Sequence, residues 1–246
     1  MKLSIVIPAH NEEGSIRTTA SELIQSLTEV NIDHEILVIN DNSSDGTENI
    51  LIDLTKEFPS FRYISNTPPN GFGLAVRKGL DNFSGDVVAI VMADGSDAPE
   101  NVIDFFRKIE EGYDCVFGSR FIKNGKTYDY PQIKLILNRL ANLFIKILFG
   151  IRYNDVTNAF KMYRKETIEG LKPFLSHHFN LTVELPLKAI TRGYTYTVLP
   201  NTWKNRTSGV AKLKIKEMGS RYLFIVLYCL IEKWLSLDDY KKNELE

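Results

Sequence analysis

The residues best able to do chemistry stand in one short stretch, Met92-Ala93-Asp94-Gly95-Ser96-Asp97-Ala98-Pro99-Glu100. The apolar, β-branched run over 86–92 that leads into it reads as a buried strand. Asp94, Ser96 and Asp97 therefore fall just past the strand's carboxyl end, the edge at which open α/β sheets bind ligands. Two carboxylates and a hydroxyl on one loop are hard oxygen donors that suit Mg²⁺ or Mn²⁺, and such a cation suits a substrate diphosphate. The competing use of Asp97 is to cap the helix that Pro99 begins.

Two other strand ends carry polar groups. The run 3–8 ends in Pro8, followed by Ala9, His10, Asn11 and Glu12, and the run 35–40 ends at Asp41. Asp41 can accept a hydrogen bond from a base or a ribose, whereas Asp45-Gly46-Thr47 reads as a tight turn capping the next helix. Adjacent strand ends of this kind predict a nucleotide pocket. The chain has neither the GxxxxGK[ST] phosphate loop nor a strand-linked GxGxxG, so the usual ATPase and dinucleotide readings lack their devices.

These loops need a sheet to hold them. Strands are expected at 3–8, 35–40, 61–65, 86–92 and 113–118, alternating with helices at 15–30, 46–57, 73–83 and 99–110. Units of this length predict an α/β fold with a mostly parallel sheet covered on both faces. The second half is less regular. Helices are expected at 132–149, 166–172, 182–190 and 214–237, with a strand at 194–200 and a polar, basic loop from 201 to 212. The expected organisation is a catalytic domain over 1–213 and an amphipathic C-terminal helical segment over 214–246.

The 246 residues, 43% apolar and 25% charged, can bury a sizeable core. Net charge is −1, but residues 1–100 carry 16 acidic and 6 basic side chains and residues 101–246 carry 15 and 24. An acidic half that could hold a cation sits beside a basic half that could hold phosphate or anionic lipid. No nucleic-acid partner is expected. Cys115 and Cys229 lie in apolar runs and read as buried thiols, which fits a reducing compartment. No apolar run is long enough to span a bilayer. Residues 135–149 and 222–235 are apolar over more than one face and could lie in a membrane interface, with Lys146, Lys214, Lys216 and Arg221 near lipid headgroups; burial against the sheet or in a homodimer contact are the competing uses. The expected location is cytoplasmic, at the cytoplasmic face of a membrane.

Six segments in order, IPAHNEE, VINDNSSDGT, MADGSDAPE, GSR at 118–120, DVTNAFKMYRK at 155–165 and NRTSGVAK at 205–212, resemble the inverting glycosyltransferases of family 2, which have a GT-A fold. The resemblance covers residues 1–213 and is closest to the dolichyl-phosphate or polyprenyl-phosphate mannosyltransferases. It implies a nucleotide-sugar site of Pro8, His10, Glu12, Asp41, Ala93, Asp94, Ser96, Arg120, Arg206 and Lys212. Asp94, Arg120 and Arg206 would serve the reaction, Lys134 and Arg139 the acceptor's phosphate, and Asp94 with Asp97 as helper the metal. Asp155, Thr157 and Phe160 match a motif near the active site. Two positions depart from the pattern: Met92 stands where the metal motif has its first aspartate, and Asn40 where an aspartate is usual.

The resemblance implies transfer of a hexose, mannose first, from GDP-mannose or a UDP-hexose to a polyprenyl phosphate. A phosphate monoester, with its second pKa near about 6, is already an oxyanion and needs no general base. Transfer to a saccharide hydroxyl, which would need a carboxylate base, is the first alternative. A non-catalytic nucleotide-sugar-binding protein, suggested by Met92, is the second. Trp203 could stack on a ligand or anchor its loop, Glu184 could face the sugar's hydroxyls, and His177 and His178 read as surface residues.

Overall fold

The structure is a computed structural model describing residues 1–205, 215–236 and 239–242. The chain opens with β1 (Leu3–Ala9), α1 (Ile16–Glu29), β2 (His34–Asn40), α2 (Thr47–Glu57), β3 (Phe61–Ser65) and α3 (Phe72–Leu80). It continues through β4 (Val87–Ile90), α4 (Pro99–Glu110), β5 (Cys115–Ser119), β6 (Lys126–Tyr128) and α5 (Gln132–Phe149). The remainder is β7 (Lys161–Arg164), α6 (Lys165–Gly170), α7 (Leu181–Thr191), β8 (Tyr196–Pro200), β9 (Thr202–Lys204) and α8 (Ile215–Leu235).

Seven strands form one sheet in the order β3-β2-β1-β4-β7-β5-β8. All pairings are parallel except those of β7, which runs antiparallel between β4 and β5. The central strands β1, β2 and β4 are buried almost throughout. This is the near-continuous apolar pattern expected of strands covered on both faces. One face packs on α1, α2 and α4 through Leu23, Leu51, Leu54 and Phe105. The other packs on α3, α5, α7 and α8 through Val76, Ile145, Leu185 and Ile225. Helix α3 lies so close to β1 that a Cβ on Gly79 would stand 2.3 Å from Val6 Cγ1.

The expected alternation of strands and helices through residue 118 is present. Strand β7 was not expected, because KMYR is short, lacks alternation and begins with a lysine. Lys161 is nonetheless fully buried, its Nζ donating to the carbonyls of Val156 and Asn158. The two-stranded β6-β9 sheet was also not expected. Its residues fell in a polar stretch without strand periodicity.

Candidate active site

A cleft of about 480 Å³ crosses the carboxyl ends of β1, β2 and β4. The sheet brings three sequence-distant loops to its rim. His10 Nδ1 lies 2.7 Å from the Asp41 carbonyl, so that nitrogen donates. The Asp41 amide donates to Ala9 O at 2.7 Å, and the Ser44 amide to Asn11 Oδ1 at 2.7 Å. Glu12 is buried, its amide bonded to Thr47 Oγ1 and its carboxylate accepting from Ser15 Oγ.

Asp41 does more than await a ligand. Its Oδ1 accepts from Asn66 Nδ2 and its Oδ2 from the Gly71 amide, both at 2.9 Å. It thereby holds the loop that enters α3, and a carboxylate with about four acceptor sites keeps two for a ligand. That loop forms the cleft wall with a segment more than a hundred residues away: Phe72 stacks on Phe179 with ring centroids 4.3 Å apart. A Cβ on Gly73 would lie 2.6 Å from the His177 carbonyl carbon, so only glycine permits this approach.

On the β4 side, Ala93 is buried and its carbonyl accepts from Thr19 Oγ1. Asp94 Oδ1 accepts from the Ser96 amide at 3.1 Å, an Asx-type turn that aims the loop into the cleft. Ser96 is only 3% exposed, and its Oγ has no hydrogen-bond partner. Asp97 is buried, and its Oδ2 accepts from the Met92 amide at 3.2 Å. Burial pushes its carboxyl up to about 7; the Met92 amide opposes the rise and the neighbouring Asp94 charge adds to it. Asp97 also bridges to Trp203, which packs on Tyr130 at 4.8 Å. Both aromatic residues line the cleft.

Asp94 and Ser96 thus present oxygen donors to the cleft, and the orphaned Ser96 hydroxyl is a polar atom in need of a partner. Met92 lines the cleft beside them and supplies no carboxylate. Among the described residues no group of three or more His, Cys, Asp or Glu side chains is placed to hold a metal. The donor set still suits Mg²⁺, which is bound through one or two carboxylates and keeps water and substrate phosphate oxygens for the rest.

Arg120 reaches the cleft from the end of β5 and is bound to Asp155 through Nε at 2.8 Å and Nη2 at 2.7 Å. Lys134, in the first turn of α5, lines the cleft with Asn138. Arg139 does not line it. Arg139 is exposed, its guanidinium lies 4.4 Å from the Phe121 ring centroid, and it donates to Asn154 O. It falls on another side of the helix from Lys134, as a five-residue separation dictates. Glu184 does not face a ligand either. It is fully buried, accepts from the amides of Leu175 and Ser176, and pairs with Lys188 at 2.7 Å. Arg206 and Lys212 lie outside the described residues. Thr157 lines the cleft and Phe160 is a core residue against Phe105.

Several lining residues carried no signal in the sequence. Phe72, Phe179, Thr182 and, from α8, Tyr222 belong to the same cleft, and so do Arg221, expected near lipid headgroups, and His178, expected at the surface and instead half-buried in the cleft wall. They come from α3, α7, α8 and the loop before α7, and only the packing of the three helices brings them together.

A mostly parallel sheet with one inserted antiparallel strand and an oxygen-rich site at the strand ends is a GT-A fold. The chain matches the family model for glycosyl transferase family 2 over residues 4–171 and belongs to that family; it is a glycosyltransferase. A polyprenol monophosphomannose synthase of Mycolicibacterium smegmatis is 28% identical over 88% of this chain and 86% of its own. A dolichol-phosphate mannosyltransferase of Pyrococcus furiosus is 32% identical over 89% of this chain and 61% of its own length. An undecaprenyl-phosphate mannosyltransferase of Micrococcus luteus is 26% identical over 96% and 98%. The fold is shared with glucosyl-3-phosphoglycerate synthase from Mycobacterium tuberculosis, solved with Mn²⁺, uridine diphosphate and phosphoglyceric acid. The TM-score is 0.68 at 20% identity, over 94% of this chain and 78% of that one.

Proposed function

We propose that this glycosyltransferase moves mannose from GDP-mannose to a polyprenyl phosphate, inverting the anomeric centre. The observation that carries this reading is the double character of α5. Its first turn puts Lys134 in the cleft, while Ile133, Ile136, Leu137, Leu140, Phe144 and Ile147 of the same helix stand exposed. Helix α8 adds exposed Leu223, Phe224, Leu227, Ile231 and Trp234. Exposed apolar side chains in this number on two touching helices mark an interaction surface. A phosphate at the end of an apolar chain matches a cation at the end of an apolar helix. The relatives named for polyprenyl-phosphate mannosyl transfer support the same substrate class. Among the described residues no helix is long and apolar enough to cross a membrane. The apolar ridge would instead rest in the interface, with Lys146 near headgroups.

Asp94 and Ser96 Oγ would hold Mg²⁺ or Mn²⁺ with the donor diphosphate. The ion supplies charge stabilisation for the departing nucleoside diphosphate. His10, Glu12 and Asp41 would position the nucleoside, and Lys134 would draw the acceptor phosphate to the sugar. A phosphate oxygen attacks the anomeric carbon from the face opposite the leaving group. The new C–O bond forms as the bond to the diphosphate breaks, and the diphosphate leaves with the electron pair. The phosphate oxyanion needs no base to remove a proton, so Asp97, turned to the Met92 amide, is left as a brace. The test is incubation with a panel of nucleotide-sugars, Mg²⁺ or Mn²⁺ and a short polyprenyl phosphate, with products identified by mass. A mannosyl-phosphoryl-polyprenol from GDP-mannose is the expected product. Absence of a glycolipid with every donor would refute the reading.

A further inference from the structure

Helix α8 does not only offer an apolar face; it closes one side of the cleft. Arg221 and Tyr222 both line the cavity, and the Tyr222 hydroxyl donates to Phe179 O at 3.4 Å. The helix is fastened at its other end. Arg192 at the end of α7 donates through Nε and Nη2 to both carboxylate oxygens of Glu232, at 2.7 and 2.9 Å, and both side chains are buried. Lys233 Nζ donates to Phe149 O at the end of α5. Positions 221 and 232 are thus set by a rigid element packed on α7 and touching α5.

The cations at this cleft are not equivalent. Arg120 is committed to Asp155 through two hydrogen bonds. Arg139 lies outside. Lys134 and Arg221 both line the cavity, and neither forms an ion pair with a described residue. They come from α5 and α8, whereas the acidic groups Glu12 and Asp41 come from the ends of β1 and β2. Two cations entering one cavity from neighbouring helices, both of which expose apolar side chains, make a cradle for a dianionic phosphate on an apolar tail.

We infer that Arg221 binds the acceptor's phosphate together with Lys134, so that α8 completes the acceptor site. This rests on the reading of the cleft as a polyprenyl-phosphate site and adds the second phosphate-binding group, in place of Arg139. Arg221 is half-buried at the cleft, and its fork can take two phosphate oxygens, which a lysine cannot match. The inserted phosphate faces Arg221 and Lys134 from the two helices, with Asn138 and Thr157 as neutral donors nearby.

The same guanidinium could instead meet a phospholipid headgroup, and the experiment separates the two. Wild type, Arg221→Ala and Arg221→Lys are titrated calorimetrically with a short-chain prenyl phosphate in vesicle-free buffer. Each is also assayed for transfer to that acceptor and sedimented with anionic vesicles. The expected result for Arg221→Ala is an acceptor Kd and KM raised about tenfold or more. Arg221→Lys should fall between it and wild type. The GDP-mannose KM and vesicle binding should stay within about twofold of wild type. An acceptor Kd unchanged in Arg221→Ala would overturn the inference. So would lost vesicle binding with an unchanged Kd for the soluble acceptor, or an equal loss of donor affinity. If wild type binds the prenyl phosphate but makes no glycolipid, the proposed transfer fails while the calorimetric arm still decides the role of Arg221.

Discussion

Arg120 and Asp155 form a two-pronged ion pair, Nε and Nη2 of one donating to Oδ2 and Oδ1 of the other, with both side chains buried. The Arg120 amide donates to the same Oδ2 at 3.0 Å. The Asp155 charge outweighs the burial that would otherwise favour a neutral Arg120, whose guanidinium is held charged above its ordinary value. The pair joins the end of β5 to the loop before β7, the two segments that frame the cleft on its basic side. Removing one partner leaves a buried charge. Asp155→Asn is therefore expected to lower unfolding free energy by about 3–5 kcal/mol, read by denaturant titration. A loss under about 1 kcal/mol would mean that water reaches the pair.

The isosteric change Asp97→Asn separates the two acceptor classes. An asparagine can still accept from the Met92 amide, but it cannot take a proton. With a phosphate acceptor, transfer is expected to fall less than about tenfold. Retained donor binding with abolished transfer would assign Asp97 as a base and point to a hydroxyl acceptor.

The proposed cation site holds a single carboxylate, Asp94, beside the Ser96 hydroxyl. With GDP present, Mn²⁺ binding followed by electron paramagnetic resonance is expected to weaken at least about tenfold in Asp94→Asn and less in Ser96→Ala. Met92→Asp is expected to tighten it. Unchanged binding in all three would place the ion elsewhere.

Acid stability should depend on Glu35. Burial would raise its carboxyl, but bonds from Arg62, Ser4 and the Ser84 amide together outweigh that and hold it down to about 2, against 4.5 unperturbed. A lowered native value gives stability that is present above pH 4.5 and is lost as pH falls toward 2. Glu35→Gln should flatten the fall in melting temperature over that window. Parallel curves for the two proteins would show that Glu35 is not the group responsible.

The apolar ridge gives a surface prediction. Ile136→Glu with Leu140→Glu is expected to lower sedimentation with anionic vesicles about tenfold or more while leaving the melting temperature unchanged, because both side chains are exposed. Undiminished vesicle binding would assign the ridge to another contact.

The parts of this site readable in the sequence are those set by local pattern. Alternating runs through residue 118 define the strands, and strand ends define where Pro8, Glu12, Asp41, Asp94 and Ser96 stand. What was not readable depends on packing between distant segments. The five-residue spacing puts Lys134 and Arg139 on different sides of α5, but only the packing of that helix shows that Lys134 enters the cleft and Arg139 lies over Phe121. Phe179 has no local mark, and Arg221 reads only as a headgroup contact, because their place in the cleft comes from α7 and α8 packing beside it. Strand β7 was hidden because Lys161, a charged residue, is buried there by carbonyl partners rather than by apolar neighbours. Arg206 and Lys212 fall outside the described residues.

The most direct test of the central claim offers the purified protein, with GDP-mannose and Mn²⁺, a short-chain polyprenyl phosphate and the corresponding polyprenol in equal amounts. Product mass and phosphorus resonance are then followed. The expected result is mannose joined to phosphate, with the anomeric configuration inverted and the alcohol untouched. Mannose on the alcohol, or on neither acceptor, would contradict it.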